Sequence, residues 1–213
     1  LIVWQQSVGW ETGDVSDLDV WQKALRTNWS HLCQAVCYGE GGTRGHYSES
    51  LINRNSSQHR IPESWQTRFH EGYISRIDQS LFWGIWLNNM FDYGAVRRSG
   101  GVRNSGLVTF DHKERKDAFY LYKMLWNKRY PTLHIVGKNR EVRTRNRQVL
   151  KVYCSQGVPN LTINGDTVAL HNRSEGIFVT DSLTMSGFNT VITATETMRD
   201  STTFTIGNYL KRK

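Results

Sequence analysis

Val36–His46 reads "VCYGEGGTRGH": an apolar strand end, then glycines around one carboxylate, Glu40, then a histidine. The reading of this stretch decides the fold. It matches neither nucleotide fingerprint, because it lacks the GK[ST] of a P-loop and its glycines are not spaced G-x-G-x-x-G. Two readings remain. The glycines supply a turn that needs positive φ, or they shape a loop that presents Glu40 at the end of a barrel strand, where β/α barrels place their active sites.

Working outward, residues 1–10 read as a strand running into a turn at "ETGD". Leu18, Trp21, Leu25 and Trp29 then fall at helical spacing behind Asp14 or Ser16 as a cap. A short strand, Gln34 to Cys37, feeds the glycine loop, and a polar loop covers about 43–60. Pro62 suits the first turn of a helix whose face carries Trp65, Phe69, Tyr73 and Ile77. Residues 81–87, "LFWGIWL", read as a buried strand. Asp111 and Glu114 have capping-box spacing ahead of a helix on which Phe119, Tyr122 and Trp126 repeat. The order β-α-β-α-β-α predicts parallel strands covered by helices. A full barrel needs eight such units; this chain supplies about three.

At "RYPTL" (129–133) the pattern changes to short alternating segments: "LHIVG", "VLKVYC", "NLTING", "IFVTDSLTM", "FNTVITATE", "TTFTIG". Turn residues such as Asn164-Gly165 divide them, which predicts a β-sandwich. The expected class is α/β plus all-β: an incomplete barrel over 1–128 and a sandwich over 129–213.

Lys and Arg exceed Asp and Glu by 27 − 19 = 8 among 213 residues. The basic residues are scattered through "VRRSGGVR", "HKERK", "KNREVRTRNR" and "KRK", as on a solvated surface, so nucleic acid is not an expected partner. No stretch approaches the ~20 apolar residues of a membrane span, and no membrane is expected. The chain starts without Met and already in a strand, the expectation being a processed chain or a piece of a longer one. Cys33 and Cys37, ~13 Å apart if extended, are too far apart for a disulfide, and with Cys154 they make an odd set without CxxC spacing that gives weak support for a metal site; the compartment stays open. His46, His59, His70 and His112 read as loop or helix-surface residues. No metal or cofactor is expected.

The aromatic stretch "FWGIWLNNMFDYG" (82–94) also has two readings. Trp83 and Trp86 are core residues of a strand, or they are flat platforms for pyranose rings, with Asn88, Asn89 and Asp92 placed to bind hydroxyls.

In one order and spacing, "SVGWETGD", "AVCYGEGGTRGHYSES", "WQTRFHEGYISRI", "FWGIWLNNMFDYG", "SGLVTFDHKERKDAFYLYKMLWN", "YPTLHIVG" and "VYCSQGVPNLTINGDTVAL" resemble the C-terminal part of glycoside hydrolase family 2. The likeness is greatest to bacterial β-galactosidase-like members, and it covers nearly the whole chain. It implies barrel strands six to eight of a (β/α)8 TIM barrel, followed by an immunoglobulin-like domain. It further implies a retaining β-glycosidase, most similar to a β-galactosidase, with a carbohydrate substrate. The family's general acid, in an Asn-Glu pair after strand four, is absent from this stretch. The expected partner is therefore a missing N-terminal part of the same protein or another chain, and an oligomer is compatible.

The family's nucleophile is the Glu of a motif like S-E-Y-G-A-G. Ungapped, "CYGEGG" puts Cys37 at that position, with Tyr38, Gly39 and Gly41 matching and Glu40 where the family has a small residue. Glu40 is the nucleophile candidate or a substrate ligand. Trp10, Trp83, Trp86, Asn88, Asn89 and Asp92 are the expected sugar-binding residues. The family's strand-eight Trp is Asn88 here, the Tyr before "GW" is Ser7, and the Lys some members place before "GL(V/I)" is replaced by Ser105-Gly106. The alternative reading is a non-catalytic carbohydrate-binding relative with a degenerate site. A basic polyanion-binding module has the least support.

Overall fold

The computed structural model describes residues 1–10, 13–47, 61–96 and 100–207. His59, most of the polar loop at 43–60, Arg97 and Arg98, and the "KRK" tail lie outside them. The chain divides into two compact units, Leu1–Ala118 and Phe119–Lys213.

In the first unit, β1 (Ile2–Gln6), α1 (Asp17–Trp29), β2 (Gln34–Tyr38), α2 (Glu63–Ile74) and β3 (Gly84–Leu87) follow in order. The strands are parallel, neighbours in chain order, and in register at Gln5, Cys37 and Trp86. Side chains alternate across a strand, so those three residues share one face. The opposite face carries Trp4, Val36 and Tyr38. Trp4 meets Trp21 of α1 edge-on at 6.3 Å, and Tyr38 stacks on Tyr73 of α2 at 4.0 Å. The helices thus cover one face of the sheet. On the other face Val3 and Trp86 are exposed.

Several local expectations shift. In α1 the fully covered positions are Leu18, Gln22 and Leu25, while Trp29 is exposed. Pro62 is the extended cap residue of α2 rather than part of its first turn. The segment 81–87 is not a buried strand: only Gly84–Leu87 is extended, Trp86 is exposed on the face that the helices leave uncovered, and Trp83, just before the strand, is exposed as well. Asp111 and Glu114 do not box a helix. The Thr109 hydroxyl donates to Asp111 and accepts the Glu114 N–H, closing a turn, and the next helix, α3 (Asp117–Trp126), begins later. His70 is buried inside α2, not on its surface.

The second unit contains two main sheets. One has five strands in the order Asp166–Val168, Asn160–Ile163, Phe188–Ala194, Arg199–Ile206 and Val142–Arg143. The other has four, His171–Ser174, Ile177–Val179, Lys151–Cys154 and Leu133–Ile135. All pairings are antiparallel except that of Arg199–Ile206 with Val142–Arg143. Val152, Cys154, Ile135 and Phe178 of the smaller sheet share one core with Leu161, Val191 and Phe204 of the larger. The alternation along Phe188–Ala194, buried at every second residue in its middle, shows why these sequences become half-buried strands. From Phe119 onward the residues of α3 belong to this unit, so the division falls within the helix, ahead of residue 128.

Candidate functional site at the ends of the parallel strands

The glycine loop leaves β2 at Gly39, whose φ of +149° suits glycine. A Cβ there would collide with the Asn88 carbonyl, and one at Gly41 with the Asn104 carbonyl. Close backbone approach therefore explains these two glycines. The Gly42 N–H donates to the Asn104 carbonyl at 2.8 Å, the Asn88 N–H to the Tyr38 carbonyl at 2.8 Å, and the Asn89 N–H to the Ser105 carbonyl at 3.3 Å. Residues 39–42, 88–89 and 104–106 are thus one packed set of loops beyond the C-terminal ends of β2 and β3.

Glu40 lies in this set with 9% of its surface exposed. Its carbonyl accepts two hydrogen bonds from α2, from Gln66 Nε2 at 2.8 Å and His70 Nε2 at 3.3 Å. Cys37 sits one residue before the end of β2, on the face shared with Trp86 and half-buried; burial pushes its thiol up, away from thiolate character. Trp83 and Trp86 are 56% and 41% exposed and meet edge-to-face at 5.3 Å. Asn88 and Asn89, joined by a cis peptide, are half-buried at the end of β3.

Two other expected sugar contacts are committed elsewhere. Trp10 is buried, with Phe69 edge-on at 5.5 Å and Trp65 at 6.2 Å, so it packs against α2. The buried Asp92 carboxylate takes the Lys116 ammonium at 2.7 Å and the Gly106 N–H at 2.7 Å through the same oxygen. Burial pushes Asp92 up and Lys116 down, each opposed by its partner. Lys116 also donates to the Gly106 carbonyl at 2.8 Å.

Beneath the loop lies a second polar group that the sequence reading missed. The fully buried Glu63, first residue of α2, accepts the Gly45 N–H at 2.6 Å and the Asp117 N–H at 2.8 Å. Burial, then the Asp117 charge, raises its pKa to about 7. Burial lowers His70 to about 4, so its imidazole is neutral at neutral pH and its Nε2–H is the donor to Glu40. A signal was present in the sequence. Glu63, Gln66, Thr67 and His70 recur at i, i+3, i+4 and i+7, a polar stripe on the face that also carries Phe69 and Tyr73. Among the described residues no group of three or more His, Cys, Asp or Glu could hold a metal ion.

At the C-terminal ends of the parallel strands, Glu40, Asn88 and Asn89 belong to one set of packed loops, and comparison with known proteins places this fold. No family model matches the chain. A β-glucuronidase of Bacteroides fragilis is 32% identical over 170 residues, 77% of this chain and 24% of that protein. The structure of a candidate β-galactosidase from B. fragilis superposes with a TM-score of 0.87 at 24% identity, over 96% of this chain and 32% of that one. An FMN-binding β-glucuronidase of Faecalibacterium prausnitzii L2-6 gives 0.80 at 26% identity, again over 96% and 32%. In sequence and in fold, then, the chain resembles a C-terminal portion of a glycoside hydrolase family 2 enzyme, spanning about a quarter to a third of the length of these relatives.

Proposed function

We propose that this chain is part of a retaining β-glycosidase acting on terminal β-linked sugars, with the first unit as the last three βα units of a TIM barrel and 129–213 as an immunoglobulin-like domain. The observation that carries the reading is the placement of Glu40, Cys37, Asn88 and Asn89 at the C-terminal ends of β2 and β3. A retaining mechanism needs two carboxyl groups ~5 Å apart, one as nucleophile and one as general acid. Glu40 is the nucleophile candidate, and the acid comes from sequence outside this stretch. The indoles stack on sugar C–H faces, and Asn88 and Asn89 bind hydroxyls. The sugar is a β-galactoside by the motif likeness or a β-glucuronide by the names of the relatives.

A second reading, a carbohydrate-binding relative without turnover, is favoured by Cys37 at the position aligned with the family's nucleophile. A mechanism-based fluoro-sugar separates the two in the full-length protein. Under the first reading it labels Glu40, Glu40→Gln abolishes labelling, and aryl β-galactoside or β-glucuronide hydrolysis falls by several orders of magnitude. Under the second, nothing is labelled and Cys37→Glu creates activity. Labelling of a carboxylate outside 34–46 refutes both.

A further inference from the structure

Two side chains of α2 converge on one backbone atom. Gln66 Nε2 donates to the Glu40 carbonyl at 2.8 Å and to the Gly106 carbonyl at 2.9 Å, which engages both protons of the amide. His70 Nε2 donates to the same Glu40 carbonyl at 3.3 Å. Gly106 is held in turn, its carbonyl by Lys116 Nζ at 2.8 Å and its N–H by Asp92 at 2.7 Å. Gln66, His70, Asp92 and Lys116 are more deeply buried than Glu40, and they hydrogen-bond to backbone groups of this loop set and to one another.

Burying four polar side chains under one loop costs desolvation that well-packed apolar residues of similar volume would not incur. What hydrogen bonds add over apolar packing is direction. Two donors arriving at one carbonyl fix the orientation of the Glu40–Gly41 peptide. Gly41 and Gly42, which follow, carry no side chain that could anchor the loop.

We propose that Gln66 and His70 are positioning residues for Glu40: by fixing its peptide they hold its carboxylate in place at the end of β2. This rests on the reading of Glu40 as the group that faces the sugar. Displacement of a reacting group by ~1 Å can cost ~10²-fold in rate, so the device has a measurable output.

The test uses aryl β-glycoside hydrolysis by the full-length protein, with active sites titrated by the fluoro-sugar. Gln66→Met and His70→Met remove the donors at similar volume, whereas His70→Gln returns an amide N–H to the place of Nε2–H. The expected result is kcat per active site lowered about 10²-fold in Gln66→Met. A smaller loss in His70→Met is expected, KM within about twofold in both, and most of the loss recovered in His70→Gln. A structural role alone would lower the melting temperature and the titrated fraction, not kcat per active site. Unchanged kcat in Gln66→Met beside an inactive Glu40→Gln overturns the positioning role and leaves the Glu40 reading standing. Hydrolysis by Glu40→Gln at the unmutated rate, or none by the unmutated protein, overturns that reading and the positioning role with it. Should Gln66→Met not fold, the contrast between His70→Met and His70→Gln decides alone.

Discussion

Protonating His70 would place a buried cation beside Tyr38, Phe69 and the Glu40 carbonyl. Its pKa of about 4 lies below the ordinary 6.5, so between those values the unfolded chain binds the proton and the folded chain does not. Stability from this group is therefore present above about 6.5 and is lost as pH falls toward 4. Glu63 works in the opposite sense. Its pKa is raised from 4.5 to about 7, so its contribution is present below 4.5 and is lost as pH rises through 7. The two slopes partly cancel in the unmutated chain. In His70→Gln the slope that opposes that of Glu63 is gone, and the melting temperature is expected to fall more steeply from pH 4.5 to 7 than in the unmutated chain; a pH series of melting curves checks this. The Asp92–Lys116 pair gives a second residue-scale expectation. Lys116→Met leaves a buried carboxylate without its cation and should destabilise by about 3–5 kcal/mol, whereas the double change Asp92→Asn with Lys116→Met should recover part of that loss in a denaturant titration.

At the scale of elements, the glycine loop and α3 carry the sharpest expectations. Gly39→Ala adds a Cβ against the Asn88 carbonyl at a φ of +149°, so steric overlap and backbone strain add. The expected loss is about 2–4 kcal/mol, with activity falling because the loop that holds Glu40 must shift. Gly45→Ala is the control: its Cβ meets nothing, so only the strain of its φ of +70° remains. In α3, the Tyr120 ring stacks on His134 at 3.8 Å, and Met124 lies against Gly176. A segment 119–213 expressed alone should therefore melt higher than 129–213, which lacks those contacts. Equal melting temperatures would show that α3 contributes nothing to the second unit.

For the whole molecule, the uncovered face of β1–β2–β3 is decisive. Val3 and Trp86 are exposed there, and β1 and β3 are edge strands among the described residues. Uncovered apolar surface and unpaired edges drive association. Residues 1–128 expressed alone should self-associate in sedimentation, and a monodisperse, cooperatively melting species would refute this. Residues 129–213 alone should give a β-type circular dichroism spectrum.

The sequence by itself determined the kinds and order of the main elements, while short strands such as Val142–Arg143 and His171–Ser174 escaped it. Leu18 and Leu25, or Phe69 and Tyr73, sit at helical spacing, and Val191 and Thr193 at strand spacing, because an element's own period must match the surface it buries. It also marked the glycine loop, and its motifs pointed to the family resemblance. Only the tertiary structure decided what the polar residues do. Gln66 meets Glu40 across 26 residues and Gly106 across 40, His70 meets Glu40 across 30, and Lys116 meets Asp92 across 24. No local period reveals such partners, so His70 read as a surface residue and Asp92 as a sugar ligand. The same reason holds for Trp10, Trp83 and Trp86. An indole's pattern in the chain says that it is apolar, but which layer lies over it is set by elements distant in sequence, and those bury Trp10 and leave the other two in solvent.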